Sequence, residues 1–155
     1  AEEGASVVID GREGALDNGG FFINPSLLDN VKPGMRCYDE EIFGPVLSVT
    51  RVKGYDDGLE LINNNLYGNG TAIFTRDGDA ARSFADKIEV GMVGINVPIP
   101  VPVAYYTFGG WKKSGFGDLN QYGPDSVRFY TKTKTVTSRW PSGVKEGADF
   151  SIPTS

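Results

Sequence analysis

The chain has 155 residues, among them no histidine and a single cysteine, Cys37. Without histidine, neither a Ser-His-Asp nor a Cys-His catalytic arrangement can form, and no metal site can use an imidazole ligand. A single cysteine excludes internal disulfides, CxxC redox pairs and thiolate zinc sites. We therefore expect no metal and a reducing compartment, either a cytoplasm or a mitochondrial matrix.

Excess positive charge and long apolar runs are also missing. The chain carries 15 basic and 20 acidic residues, a formal net charge of −5. Because phosphate binding needs clustered positive charge, this balance argues against nucleic acid and anionic membrane as partners. No apolar run approaches the ~18 residues that a membrane span requires. The first residues, 1–4, are acidic and show no signal-peptide pattern, so nothing indicates secretion.

The middle of the chain alternates between strand and helix patterns. Hydrophobic spacing predicts strands at Pro45–Lys53, Gly70–Thr75 and Met92–Val97, and helices at Tyr55–Asn64 and Ala80–Glu89. Helical crossovers between apolar strands imply a parallel α/β sheet. Three strands make an incomplete sheet, so we expect missing neighbours.

Local signals refine these elements. Asp56 is a plausible N-cap of the first helix, the turn at residues 77–79 caps the second, and Gly91 is its expected stop. Two earlier runs, Ser6–Asp10 and Gly20–Ile23, have the alternation of short strands. The second helix is predicted to have one apolar face, formed by Ala81, Phe84, Ala85 and Ile88.

The last third of the chain changes character. Alternating prolines at 98, 100 and 102 predict an extended loop, and Tyr105–Tyr122 reads as a long ordered loop. Phe129–Trp140 has the pattern of a long strand with no apolar face. Such a strand needs backbone partners more than a hydrophobic cover, so it is a candidate for pairing with another chain. The tail after Pro141 is polar and predicted to be loose.

The obvious nucleophile candidate, Cys37, is better interpreted as a packed structural residue. Three nearby acids, Asp39, Glu40 and Glu41, disfavour a thiolate, and no imidazole is present to act as its base.

The acidic segment Glu40–Pro45, Glu-Glu-Ile-Phe-Gly-Pro, allows two interpretations. It is either a solvated acidic pair before a strand, or a carboxylate that accepts hydrogen bonds from ligand hydroxyls beside an aromatic wall.

The glycine-rich segment Gly109–Gly117 does not fit a phosphate-binding loop. Its lysine pair precedes Ser114-Gly115, and it does not follow a strand and open a helix, so turn glycines are the better interpretation. The aromatic residues of this region could line a pocket or pack a loop, with packing favoured for Trp111 and Phe116.

These segments together resemble the aldehyde dehydrogenase superfamily, in which Glu-Glu-Ile-Phe-Gly-Pro is a hallmark. The resemblance continues in order from about Gly20 to Trp140. Its further segments are Asn64–Thr75, Gly91–Asn96, Phe108–Gly115 and Lys132–Thr137. Cys37-Tyr38 and Asn96–Pro102 resemble the methylmalonate-semialdehyde group within the superfamily, whose members are CoA-acylating.

The resemblance implies a fold and three site residues. Residues 1–125 would be the C-terminal part of an α/β catalytic domain, and residues 126–155 an oligomerisation strand with its tail. Glu41 matches the glutamate that holds the nicotinamide ribose hydroxyls, since a carboxylate can accept from both hydroxyls of a diol. Phe43 matches an aromatic near the nicotinamide, Phe108 matches an aromatic of the substrate pocket, and Phe129–Arg139 matches the strand that joins subunits into a homo-oligomer.

The resemblance also implies the chemistry of a longer parent enzyme. That enzyme would use NAD and coenzyme A to oxidise malonate or methylmalonate semialdehyde, releasing acetyl-CoA or propionyl-CoA. The family's nucleophilic cysteine, general base and dinucleotide-binding domain would lie upstream, and Cys37 is not the nucleophile's equivalent. We therefore expect no catalytic residue here and no activity from this chain alone.

Two alternatives remain open at this stage. The chain could be a fragment of another aldehyde dehydrogenase, or a non-catalytic assembly module that binds other subunits through Phe129–Trp140.

Overall fold

A computed structural model describes residues 2–14 and 19–140. The chain forms two compact units, one of residues 1–65 and 77–89, the other of residues 66–76 and 90–155. The described strands are β1 (Ser6–Ile9), β2 (Ser26–Asp29), β3 (Val46–Ser48), β4 (Tyr67–Gly68), β5 (Gly70–Ile73), β6 (Met92–Ile95) and β7 (Trp111–Lys112). The described helices are α1 (Arg36–Asp39), α2 (Tyr55–Asn63), α3 (Gly78–Lys87) and α4 (Asp125–Tyr130).

The first unit contains a three-stranded sheet in the order β1-β2-β3. β2 pairs with β1 antiparallel and with β3 parallel, with Leu27 opposite Leu47. A small apolar cluster of Ala5, Val31 and Met35 is buried in this unit, and Val31 is 1% exposed. The predicted strand at Ser6–Asp10 is confirmed as Ser6–Ile9, and that at Pro45–Lys53 is confirmed only at Val46–Ser48.

The strand predicted at Gly20–Ile23 is wrong, because the structure places the strand at Ser26–Asp29 instead. Phe22 and Ile23 are exposed and outside any strand. The Ser26 N–H donates to the Pro45 carbonyl at 2.8 Å, and pairing with β3 begins at this residue. The segment Gly20–Ile23 therefore lies outside the paired region. The alternating pattern was real, but a strand needs a backbone partner as well as a pattern.

The two predicted helices are confirmed as α2 and α3, but only one of the predicted caps is. The Asp77 side chain accepts from the backbone N–H groups of Asp79 and Ala80, as expected of an N-cap. Asp56 does not cap α2: the cap position is Gly54, and no side-chain cap bond forms there. The Tyr55 hydroxyl donates to Ser83 Oγ at 3.2 Å and so joins the two helices within the first unit.

One face of α3 is buried, with Ala81, Phe84 and Ile88 each at most 8% exposed. Ala85 is exposed, which contradicts its predicted place on this face. At about 100° per residue, Ala85 lies about 40° beyond Ala81, outside the arc that the other three define. Gly91 was also wrongly predicted as the stop, because α3 already ends at Lys87.

The second unit holds two small sheets. β5 and β6 are parallel from Gly70 opposite Met92 to Ile73 opposite Ile95, and β4 and β7 are antiparallel. β6 is followed by Asn96, which has φ +57°. The side-chain amide of Asn96 exchanges two hydrogen bonds with the Thr75 backbone, of 2.9 and 3.1 Å. The predicted parallel α/β pairing is confirmed. A single sheet of all three predicted strands is not, since β3 belongs to another sheet than β5 and β6.

The predicted strand at Phe129–Trp140 is not formed in the described part of the chain. Its first two residues end helix α4, and residues 131–140 are exposed and form no strand. The Thr131 hydroxyl donates to the Val127 carbonyl at 2.6 Å and closes the helix end. A long polar strand without a partner ladder has nothing to hold it extended. The tail predicted after Pro141 lies outside the described residues.

The capping difference between the two helices predicts a difference in stability. We expect Asp77→Ala to lower the free energy of unfolding by about 1 kcal/mol, since two helix N–H groups lose their acceptor. Urea denaturation followed by circular dichroism measures the change. Asp56→Ala is the matched control, and an equal loss in both variants would contradict the assignment of Asp77 as the cap.

Candidate functional site

The segment Glu40–Gly44 is the short connection between α1 and β3, and the chain turns at Ile42–Gly44. The Glu40 N–H donates to the Arg36 carbonyl at 2.9 Å, and the Gly44 N–H donates to the Ile42 carbonyl at 2.9 Å. The flanking elements are also tied, since Ser48 Oγ donates to the Cys37 carbonyl at 3.3 Å. The turn is therefore fixed by its backbone and its neighbours, and its side chains are left for other contacts.

The two adjacent acids have different surroundings. Arg36 Nε lies 3.3 Å from Glu40 Oε1, and its Nη2 lies 3.1 Å from Oε2. This guanidinium holds the pKa of the Glu40 carboxyl below its usual range. Glu41 is exposed and makes no hydrogen bond or ion pair with any described residue. Glu41 is therefore the acid whose two oxygens remain able to accept hydrogen bonds from a ligand.

The aromatic residue of the turn, Phe43, is 97% exposed. The ring leaves its apolar surface uncovered, as do the rings of Phe21 at 108% and Phe116 at 94%. Phe43 follows Glu41 by two residues, so a free carboxylate and an exposed aromatic ring belong to the same short connection. An exposed carboxylate and an exposed ring are compatible with both interpretations of this segment, and both stay predictions.

The third predicted site residue, Phe108, lies in the second unit. Its ring is partly buried and stacks on Tyr122, with centroids 4.5 Å apart and planes 11° apart. Sequence reasoning missed Tyr122, because a contact between residues fourteen positions apart in an irregular segment leaves no periodic signal. Trp111 and Phe116, predicted to pack, are 55% and 94% exposed, because the loop that carries them folds on its backbone rather than on their rings.

Cys37 is partly buried against the cluster of Ala5, Val31 and Met35. It lines a cavity of about 350 Å³ together with Leu28 and Arg36. This packing supports the structural interpretation of the cysteine. Among residues 2–14 and 19–140, no group of histidine, cysteine or acidic side chains is arranged to hold a metal ion. In the same part of the chain, no helix is long and apolar enough to cross a bilayer.

Residues 1–136 match the aldehyde dehydrogenase family, and the chain belongs to that family. It is 58% identical to the malonate-semialdehyde dehydrogenase of Pseudomonas aeruginosa over 155 residues, which cover 98% of this chain and 31% of that protein.

Two solved structures agree with this relationship. A methylmalonate-semialdehyde dehydrogenase from Oceanimonas doudoroffii is 62% identical, with a TM-score of 0.82 over 92% of this chain and 30% of that one. A protein described by the same activity from Sinorhizobium meliloti 1021, crystallised with NAD, is 60% identical. Its TM-score is 0.83 over 94% of this chain and 30% of that one. The chain thus spans less than a third of the length of these relatives.

The ion pair beside the turn predicts a titration shift. We expect Arg36→Gln to raise the pKa of Glu40 toward the ordinary range of a glutamate, because the guanidinium no longer favours its charged form. A depressed pKa stabilises the fold above the pKa of the unfolded chain, and this contribution is lost as the pH falls through the folded value. The variant should therefore lose less stability than the wild type over that acidic interval.

Titration of the side-chain carboxyl by NMR measures the shift. Arg51→Gln is the matched control, because Arg51 Nη2 lies 2.8 Å from Asp29 Oδ2 and lowers the pKa of that carboxyl instead. A Glu40 pKa unchanged in Arg36→Gln would show that the pair does not persist in solution.

Proposed function

We propose that this chain is the C-terminal part of an NAD-dependent, CoA-acylating dehydrogenase. The full-length enzyme would oxidise malonate semialdehyde or methylmalonate semialdehyde with loss of the carboxylate as carbon dioxide, and would release acetyl-CoA or propionyl-CoA. The observation that carries the proposal is the free Glu41 carboxylate beside the exposed Phe43 ring, in a chain 58% identical to a malonate-semialdehyde dehydrogenase. NAD supplies the acceptor for the hydride that leaves the aldehyde carbon.

The proposed roles of the site residues follow from their surroundings. Glu41 would accept hydrogen bonds from the two nicotinamide ribose hydroxyls, a task that needs a carboxylate with no competing partner. Phe43 would pack near the nicotinamide ring, and Phe108 would form part of the substrate pocket. The residues present fit part of a nicotinamide cofactor site, and the chain contributes no catalytic residue, so we expect no activity from it alone.

We also propose that the enzyme is a homo-oligomer joined through Phe129–Arg139. Support comes from the exposure of residues 132–138 and from their strand-like sequence. Their backbone also makes no hydrogen bond to the part of the chain that the structure describes. A cytoplasmic location is supported by the single cysteine and by relatives that come from bacteria. A non-catalytic assembly module that uses the same segment is the second candidate function, favoured by the same exposure.

Activity tests the main proposal directly. We expect the full-length protein to form NADH with malonate or methylmalonate semialdehyde, and to form the acyl-CoA product only when coenzyme A is present. Absorbance at the NADH band and mass spectrometry of the acyl-CoA measure the two products. Equal or better turnover of unrelated aldehydes, with free acid as the product, would favour another aldehyde dehydrogenase.

The contrast between the two acids gives a sharper test. We expect Glu41→Gln to weaken NAD binding about tenfold, because charge-assisted hydrogen bonds to the ribose are replaced by weaker ones. Glu40→Gln is the matched control and should change NAD affinity little, since Glu40 is engaged by Arg36. Titration calorimetry of the full-length enzyme with NAD measures the dissociation constant of each variant. Equal weakening by the two substitutions would remove the distinction between the acids.

The assembly proposal predicts an effect of proline. We expect Lys134→Pro combined with Thr135→Pro to reduce the oligomer, because one of two successive N–H groups faces the partner strand and proline has none. Light scattering after size-exclusion chromatography measures the mass of the full-length enzyme and of its variants. Thr135→Val, which favours a strand, should leave the mass unchanged, and a proline variant of wild-type mass would count against this segment as the interface.

A further inference from the structure

The loop that carries Phe108 is closed by three neighbouring contacts within the second unit. Phe108 stacks on Tyr122, Gly109 lies against the side chain of Asn120, and Gly123 lies against the Thr107 backbone. A methyl group added at Gly109 would overlap the Asn120 amide, and one added at Gly123 would overlap the Thr107 N–H. The backbone approach at these glycines brings residues 107–109 and 120–123 side by side.

The closure fixes the orientation of the Phe108 ring. An offset or parallel stack at 4.5 Å covers one face of the ring and restricts its rotation about the side-chain bonds. Phe108 is nevertheless only partly buried, so the ring keeps surface that Tyr122 does not cover. That combination, a ring held on one side and open elsewhere, suits a residue that forms a wall against a small ligand.

Tyr122 itself contributes little to a core. It is 41% exposed, and its hydroxyl makes no hydrogen bond with any described residue. The ring, rather than the hydroxyl, is therefore the part of the residue that the contact uses. A tyrosine kept only for solubility or for a polar anchor would not need a parallel stack.

We propose that Tyr122 is a positioning residue for the aldehyde substrate, acting through Phe108. The inference rests on the proposed function, because it needs Phe108 to contact the semialdehyde. Tyr122 does not touch the substrate: it restricts Phe108 to the orientation in which the pocket wall is complete. Loss of the stack frees the Phe108 ring, and the substrate must then restrict the ring itself on binding.

The test uses the full-length dehydrogenase that contains this chain. We expect Tyr122→Leu to raise the KM for the semialdehyde about three- to tenfold, the range that corresponds to one aromatic pair, with the KM for NAD unchanged. Tyr122→Phe keeps the ring and should behave as the wild type. A folding defect would reduce the concentration of active enzyme and hence the apparent kcat, but would leave the KM for the semialdehyde as it was.

A double substitution separates action through Phe108 from an independent effect. If Tyr122 acts through Phe108, then Phe108→Leu with Tyr122→Leu should be no worse than Phe108→Leu alone. Additive increases in KM, a wild-type KM in Tyr122→Leu, or a raised KM in Tyr122→Phe would each overturn the inference. A wild-type KM in Phe108→Leu would overturn it together with the substrate role of Phe108, whereas a wild-type enzyme without NAD-dependent oxidation would overturn the proposed function itself.

Discussion

The parallel pairing of β2 with β3 is the interaction on which the geometry of the first unit depends. The Ser26 N–H donates to Pro45, the Val49 N–H donates to Leu28, and the Val31 N–H donates to Val49. A slip of one residue would reverse every side chain of β3 and would displace the turn that precedes it. Because this ladder holds the turn by its backbone, neither Glu41 nor Phe43 is needed to stabilise it, and both remain available to a ligand.

The loop of the second unit is held in the same way, by close backbone approach instead of a ladder. Gly109 lies against Asn120 on one side and the Gly91 backbone on another, where any side chain would overlap. Gly91, predicted as a helix stop, therefore has a different role: its missing Cβ lets the start of β6 contact the loop. Both units thus carry the side chains proposed to bind ligands on irregular segments that neighbouring elements fix.

Local patterns predicted what is determined locally. The helices, the Asp77 cap and the parallel pairing came from periodicity and spacing, and Glu41 and Phe43 came from resemblance. The sequence could have predicted that Glu40, and not Glu41, is engaged in an ion pair, because Arg36 and Glu40 have the i, i+4 spacing of a helical ion pair. Phe129–Trp140 forms no strand within the described chain, and its pairing with another chain stays a prediction. The error at Gly20–Ile23 has a physical cause: a strand exists only where a second strand pairs with it, and that partner is distant in sequence. The contact of Tyr122 with Phe108 was unpredictable for the same reason.

The exposed surface of the chain is explained by the same dependence on partners. Two-stranded sheets such as β5 with β6 and β4 with β7 are marginal by themselves, and each leaves backbone donors and acceptors along its edges. Phe43 is an apolar side chain that no described residue covers. Relatives about three times as long have the chain length to supply neighbouring strands and the rest of a cofactor site. In the proposed enzyme, the Glu41 carboxylate and the Phe43 ring, which this chain does not use to stabilise its own fold, are therefore the groups that bind the cofactor.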